Sequence, residues 1–168
     1  MLIRIAGITE DSIVDGPGLR MTVFVQGCPH HCPGCHNPET HDYTGGTEIE
    51  VDEIVKQYLG NPLLDGITLS GGEPFDQPEA CAELLSKVYH KCGSVWCYTG
   101  YTFDYLLTRT DFLSSFLLES IDVLVDGPFI ESQRTLELPW RGSRNQRLID
   151  VQESLRQGKA VEYGGAHQ

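Results

Sequence analysis

The residues best suited to chemistry lie together in the stretch Gly27-Cys28-Pro29-His30-His31-Cys32-Pro33-Gly34-Cys35-His36-Asn37. Cys28, Cys32 and Cys35 have C-x3-C-x2-C spacing, so the thiolates of one short loop can converge on one metal centre without help from distant sequence. Pro29, Pro33 and Gly34 disfavour a helix and bend the backbone around that centre. An iron-sulfur cluster is the natural occupant, because a 4Fe-4S cluster has four irons and three thiolates leave one of them unclaimed. An unclaimed iron is a place for a substrate, much as an open coordination position separates a catalytic zinc from a structural one. The same loop also offers a Cys3His zinc knuckle through His30, His31, His36 or His41. A disulfide framework is disfavoured, since cysteines this close would form strained bridges and no secretory signal precedes them.

The cysteine spacing at the end of an apolar strand resembles the cluster motif of the radical S-adenosylmethionine (SAM) enzymes. Asp15-Gly16-Pro17-Gly18-Leu19-Arg20 and the Cys35-His36-Asn37 ending resemble, more narrowly, the glycyl-radical-enzyme activases. Gly71-Gly72-Glu73-Pro74 is similar to the GGE motif that receives the amino group of SAM through its backbone and carboxylate. The physics suits that role: two glycines permit close backbone approach, and Glu73 can accept hydrogen bonds from an ammonium. Without the cysteine loop, a Gly-Gly pair between strand and helix reads only as a turn.

Two positions depart from the family pattern. Gly34 stands where many members carry an aromatic residue before the third cysteine, which leaves main-chain groups near Gly34 and His36, or the ring of Tyr98, to meet the adenine. Asp126-Gly127-Pro128 stands where some related activases carry Asp-Leu-Lys, so Asp126 either orients a ligand or caps its loop. Farther on, Gly142-Ser143-x-Asn145-Gln146-Arg147 resembles the subfamily that activates anaerobic ribonucleotide reductase rather than pyruvate formate-lyase. Arg141, Arg144 and Arg147 are read either as partner contacts or as a solvated loop.

The resemblance implies a 4Fe-4S cluster on Cys28, Cys32 and Cys35, and SAM held by Gly34, Cys35, His36, Gly71, Gly72 and Glu73, with no catalytic residue beyond these ligands. It implies reductive cleavage of SAM to methionine and a 5'-deoxyadenosyl radical, which takes an α-hydrogen from one glycine of anaerobic ribonucleotide reductase. An external one-electron donor completes the set of partners. Activation of pyruvate formate-lyase or another glycyl radical enzyme is the alternative within the class. An electron-transfer or sensing protein whose cluster never meets SAM is the alternative outside it.

These groups must be positioned by strands. Leu2 to Ile8 is rich in isoleucine and reads as a strand covering a sheet edge. Leu19 to Gln26 is β-branched and mostly apolar, as expected of a strand buried between layers, and it delivers the chain into the cysteine loop. Val51 to Leu59 has apolar residues at helical spacing and is stopped by Asn61-Pro62. Gly66 to Ser70 is a short strand running into the Gly-Gly turn. Asp76 with Glu79 resembles a capping box for a helix that buries Ala80, Cys81, Leu84, Leu85 and Val88. Val95 to Tyr98 and Ile121 to Val125 are further strands, separated by one broken helix or two short ones between Phe103 and Leu118.

Four successive strands thus end in loops carrying cysteine, glycine or carboxylate groups. In parallel βα folds, sites collect at the carboxyl ends of the strands. A closed eight-stranded βα barrel needs at least ~200 residues, and this chain has 168. The expected fold is therefore α/β, a partial, open βα barrel of the radical SAM type with a mostly parallel curved sheet, residues 1–168 forming a single domain. A lateral mouth of that kind would admit a polypeptide loop. Cys81 is assigned to the core, and Cys92 and Cys97 lack paired ligand spacing.

Composition bounds the function. Hydrophobic residues make up 40% of the chain, compatible with a real core. No run approaches the ~18 apolar residues of a membrane span, and the first residues lack the layout of a targeting peptide, so a cytoplasmic, reducing location is expected. Twelve basic residues against 24 acidic ones give a net charge of -12, which opposes nucleic-acid binding. A basic surface on a protein partner would exploit the same charge.

Overall fold

The computed structural model describes residues 1–164. In chain order, its elements begin with β1 (Leu2–Ser12), β2 (Arg20–Val25), β3 (Thr47–Glu50) and α1 (Val51–Leu59). There follow β4 (Gly66–Gly71), α2 (Pro78–Val88), β5 (Ser94–Tyr98), α3 (Phe103–Thr108) and α4 (Phe112–Glu119). The chain ends with β6 (Val123–Asp126), β7 (Arg147–Asp150) and α5 (Val151–Gln157).

The strands form one sheet in the order β3-β1-β2-β4-β5-β6-β7. The α/β class is as expected, but the sheet is mixed rather than mostly parallel. Only the central strands β2, β4, β5 and β6 run parallel to one another, while β1 pairs antiparallel with β2 and β3, and β7 antiparallel with β6. Nor does β1 cover an edge. The short strand β3, too polar to announce itself, adds outside it and leaves β1 interior.

Alternation along the parallel strands sends two sets of side chains to opposite faces. Val23, Ile67, Leu69, Cys97 and Leu124 meet the helices in the main core, with Ile54 and Tyr58 of α1 and Leu84 and Leu85 of α2. Cys81 is fully buried there, as assigned. On the other face, Trp96, Val123, Val125 and Leu148 pack with Tyr98, Trp140 and Tyr163 in a second, smaller cluster. That cluster fills only part of the face, and the polar remainder borders the cavity described below.

Arg20 pins the amino ends of three parallel strands. It is wholly buried, and its guanidinium donates to the Thr68 hydroxyl, the carbonyls of Pro17, Ile67 and Ser94, and the Ser94 hydroxyl. Burial lowers its pKa. The expected capping box at α2 is not used: Gln77 is the N-cap residue and Pro78 the first helical position, where a missing N–H costs nothing. Asp76 instead accepts from the Tyr43 and Tyr101 hydroxyls at 2.5 and 3.2 Å. Gln77 stitches α2 to the sheet by donating to the carbonyls of Arg4 and Gln26 and accepting from Arg4 N–H. The region from Phe103 to Leu118 is two short helices, started by the side chains of Thr102 and Asp111.

Candidate functional site

The cysteine loop leaves β2 at Val25 and returns close to its own start. Gly27 N–H donates to Thr40 O and Cys28 N–H to His41 O, so the ends of the loop are zipped together. The Gln26 side chain ties the same closure from the other side, donating to the carbonyls of Glu39 and Asp42 at 2.9 and 2.7 Å. Inside it, Cys35 N–H donates to Cys32 O, and Gly34 (φ 76°) and His31 (φ 47°) take the left-handed conformations that the tight path demands. Cys28 is buried, while Cys32 and Cys35 are half-buried. Burial pushes the Cys28 thiol up to about 11, against a backbone hydrogen bond from His30 that favours its thiolate. Asn37 N–H lies 3.5 Å from Cys35 Sγ.

Beside the loop is the Gly71-Gly72-Glu73 turn. Gly71 has φ 91°, and a Cβ there would stand 2.7 Å from Phe24 Cα and Val25 N. Gly72 N–H donates to Val25 O and Glu73 N–H to Gly27 O, both at 2.8 Å. The two glycines therefore let the turn lie directly on the end of β2, immediately before Cys28. Glu73 is fully buried. Its Oε1 accepts from Phe75 N–H and the Thr99 hydroxyl, and its Oε2 from Gly100 N–H and His30 Nε2.

A cavity of about 470 Å³ opens on the sheet face away from the helices, with Cys28, Cys32, Cys35 and His36 at one end. Ser70, Gly71 and Tyr98 supply its strand wall, and Asp15 borders it beyond them. The Asp15 carboxylate accepts from the hydroxyls of Ser12 and Thr22 at 2.6 and 3.0 Å. Burial, and after it the nearby Asp15 charge, raise the Tyr98 pKa. The segment between β6 and β7 closes the far side through Gly127, Phe129 and Gln146. A larger hollow of about 860 Å³, lined by Tyr89, His90, Glu119 and Asp122 among others, lies elsewhere and includes none of the loop cysteines.

The donor set fits a cluster. Three free thiols of one closed loop line a common cavity. Among the described residues, no three His, Cys, Asp or Glu side chains gather tightly enough to share a single metal ion. A cluster asks for a wider arrangement, because each thiolate binds a different iron.

Residues 14–149 match the family model described as a 4Fe-4S single cluster domain. An anaerobic ribonucleoside-triphosphate reductase-activating protein from Haemophilus influenzae is 37% identical over 144 residues, covering 80% of this chain and 89% of its own. Proteins of the same name from Vibrio cholerae and Escherichia coli K12 are 39% and 36% identical, with 89% and 90% of their lengths covered. This chain belongs to that family of activating proteins. Among solved structures, the crystal structure of QueE from Escherichia coli aligns with a TM-score of 0.46 at 16% identity, covering 61% of this chain and 54% of that one.

In this activating-protein chain, the structure brings Cys28, Cys32, Cys35, His36, Gly71 and Tyr98 to one cavity. It does not bring Gly34, Gly72 or Glu73 to the cavity wall. Gly34 packs instead beside Glu131, whose Cδ would lie 2.9 Å from an added Cβ, and Gly72 lies against Gly27. Asp126 is a cap and an ion-pair partner at once: it accepts from Phe103 N–H at the start of α3 and from Arg147 Nε and NH2 at 3.1 and 2.6 Å. Arg147 also reaches Asp104, so it is no free docking arginine. Arg144 is exposed, 3.7 Å from Glu137. His30, Asp15 and Gln146 also line the cavity; the sequence leaves His30 between a hydrogen bond to cluster sulfur and plain loop exposure, and offers Asp15 and Gln146 only as members of motifs. The signal for His30 is its position between two cysteines.

Proposed function

We propose that this chain is a radical SAM activase that generates a glycyl radical on anaerobic ribonucleotide reductase. The observation that carries the proposal is the opening of three loop thiols onto the same cavity as the end of β4 and Tyr98. Cys28, Cys32 and Cys35 would hold a 4Fe-4S cluster, and SAM would lie between the loop and the Ser70-Gly71 strand end. Bound there, the cluster supplies one electron for the cleavage of SAM to methionine and a 5'-deoxyadenosyl radical.

The chain's own residues position and shield. The zipped loop fixes the three thiols relative to β2. An ionised carboxylate offers about four acceptor positions, and those of Glu73 already receive the four donors named above. Main-chain oxygens at the Ser70-Gly71 end of β4 would therefore receive the ammonium of SAM, with main-chain groups around Cys35 and His36 and the ring of Tyr98 available to the adenine. The rings of Phe24, Tyr98 and Phe129 cover part of the cavity wall and shield the reacting atoms on that side.

The central parallel strands and their antiparallel flanks support a partial, open barrel, and its uncovered face is where a glycine-bearing loop of the reductase would enter. Residues 1–168 work as one unit, in the reducing cytoplasm, with an external one-electron donor. No helix among the described residues is long and apolar enough to cross a membrane. Anaerobic purification with iron and sulfide analysis, followed by an assay for reductive SAM cleavage, tests the assignment. A cluster with no SAM cleavage under reducing conditions would leave an electron-transfer protein instead.

A further inference from the structure

The buried carboxylate of Glu73 and the imidazole of His30 meet at 2.7 Å, joining the turn after β4 to the middle of the cysteine loop. A carboxylate has no proton to give, so His30 Nε2–H donates. The contact is built on both sides. Gly100 makes room for the ring, since a Cβ there would lie 2.7 Å from His30 Cγ. Tyr101 packs edge-on against the ring with centroids 4.5 Å apart, and its hydroxyl is tied to Asp76.

We infer that Glu73 is a positioning residue for the cluster loop, acting through His30, and that it is not a ligand of SAM. Glu73 holds the His30 side chain, and that grip anchors the stretch between Cys28 and Cys32 to the turn after β4. The motif that elsewhere suggests a cofactor contact here serves as a clasp: glycines seat the turn on β2, and the carboxylate seats the loop on the turn.

The inference rests on the proposed cluster ligation, and its test separates the two. Glu73→Gln, His30→Leu, His30→Gln and the double variant Glu73→Gln/His30→Leu are loaded anaerobically, and cluster loss to an iron chelator is followed by visible absorbance. Loss of an outer-shell partner predicts release about tenfold faster in Glu73→Gln and His30→Leu. Because both remove one interaction, the double variant should be no more than about twofold worse than either. His30→Gln keeps an N–H donor and should stay within about threefold of the parent rate. SAM titrated into oxidised, cluster-loaded Glu73→Gln should bind within about threefold of the parent.

Parent-like cluster release in both Glu73→Gln and His30→Leu, fully additive effects, or a tenfold loss of SAM affinity in Glu73→Gln with unchanged release would each overturn the inference. His30→Leu changes a side chain that is still 15% exposed, unlike the wholly buried Glu73, so the test does not depend on Glu73→Gln folding. Cluster retention in a Cys28→Ala control would overturn the ligation itself.

Discussion

Replacing Gly72 by alanine should disable the cysteine loop before it affects SAM. The φ of Gly72 is not in the left-handed region, so alanine can adopt its backbone and only space forbids the side chain. A Cβ there would run into the Gly27 carbonyl oxygen and stand 2.9 Å from its carbon and 3.0 Å from Val25 O. These are backbone atoms of the strand end and cannot swing aside. Relief requires lifting the turn off β2, which strains the Gly72 N–H to Val25 O and Glu73 N–H to Gly27 O bonds.

Two weakened backbone hydrogen bonds and one overpacked contact together cost about 3 kcal/mol. For a domain of this size that lowers Tm by about 6–12 °C. Calorimetry of the apo protein and iron analysis after anaerobic reconstitution measure the two consequences, a lower Tm and poor cluster loading. Gly7→Ala is the control, since a Cβ there meets nothing within 4 Å. A parent-like Tm and full cluster in Gly72→Ala, with only SAM affinity reduced, would refute the steric reasoning and return Gly72 to direct ligand contact.

Single replacement of Cys28, Cys32 or Cys35 by Ala should prevent stable 4Fe-4S assembly and abolish 5'-deoxyadenosine formation. Cys81, Cys92 and Cys97 variants should retain both, as iron content and anaerobic turnover would show. Arg147→Met leaves the buried Asp126 carboxylate with one backbone donor and should cost about 2–3 kcal/mol in denaturant unfolding, the partial exposure of Arg147 moderating a larger penalty. Arg147 also holds the Asp104 carboxyl below its usual range, chiefly by hydrogen bonding. A depressed folded pKa gives stability that is present above the ordinary carboxylate value of about 4 and lost as pH falls through the folded value. The parent should therefore lose more stability than Arg147→Met between about pH 5 and pH 2, and equal losses would remove the pair from the account. Arg141→Ala/Arg144→Ala should impair activation of the reductase more than uncoupled SAM cleavage, whereas equal loss in both assays would assign these arginines to folding.

The central strands and the cysteine loop were legible because their signals are local. β-branched runs in β2, β4 and β5 end at loops whose cysteines and glycines stand out by type. The edges were not. Thr47–Glu50 is polar and mostly exposed, and it becomes a strand only because β1 offers its free side. Arg147–Asp150 is four residues long, held by β6 on one side and bridged by Glu162 on the other. Pairing across the fold also bears on two readings. Arg147 looked like a docking residue until Asp126, 21 positions earlier, was found against it. For Glu73, the motif specifies a residue type and not the direction of its carboxylate. Its partners come from β4's own turn, from Thr99 and Gly100, and from His30, and no local pattern joins those segments.

The most direct test of the central claim is electron paramagnetic resonance of anaerobic ribonucleotide reductase incubated with this protein, SAM and a one-electron reductant. The account predicts a glycyl-radical signal on the reductase that requires SAM and all three loop cysteines, with little or none on pyruvate formate-lyase under the same conditions. Cluster-loaded protein that cleaves SAM but leaves the reductase without a radical would contradict it, as would a radical formed preferentially on pyruvate formate-lyase.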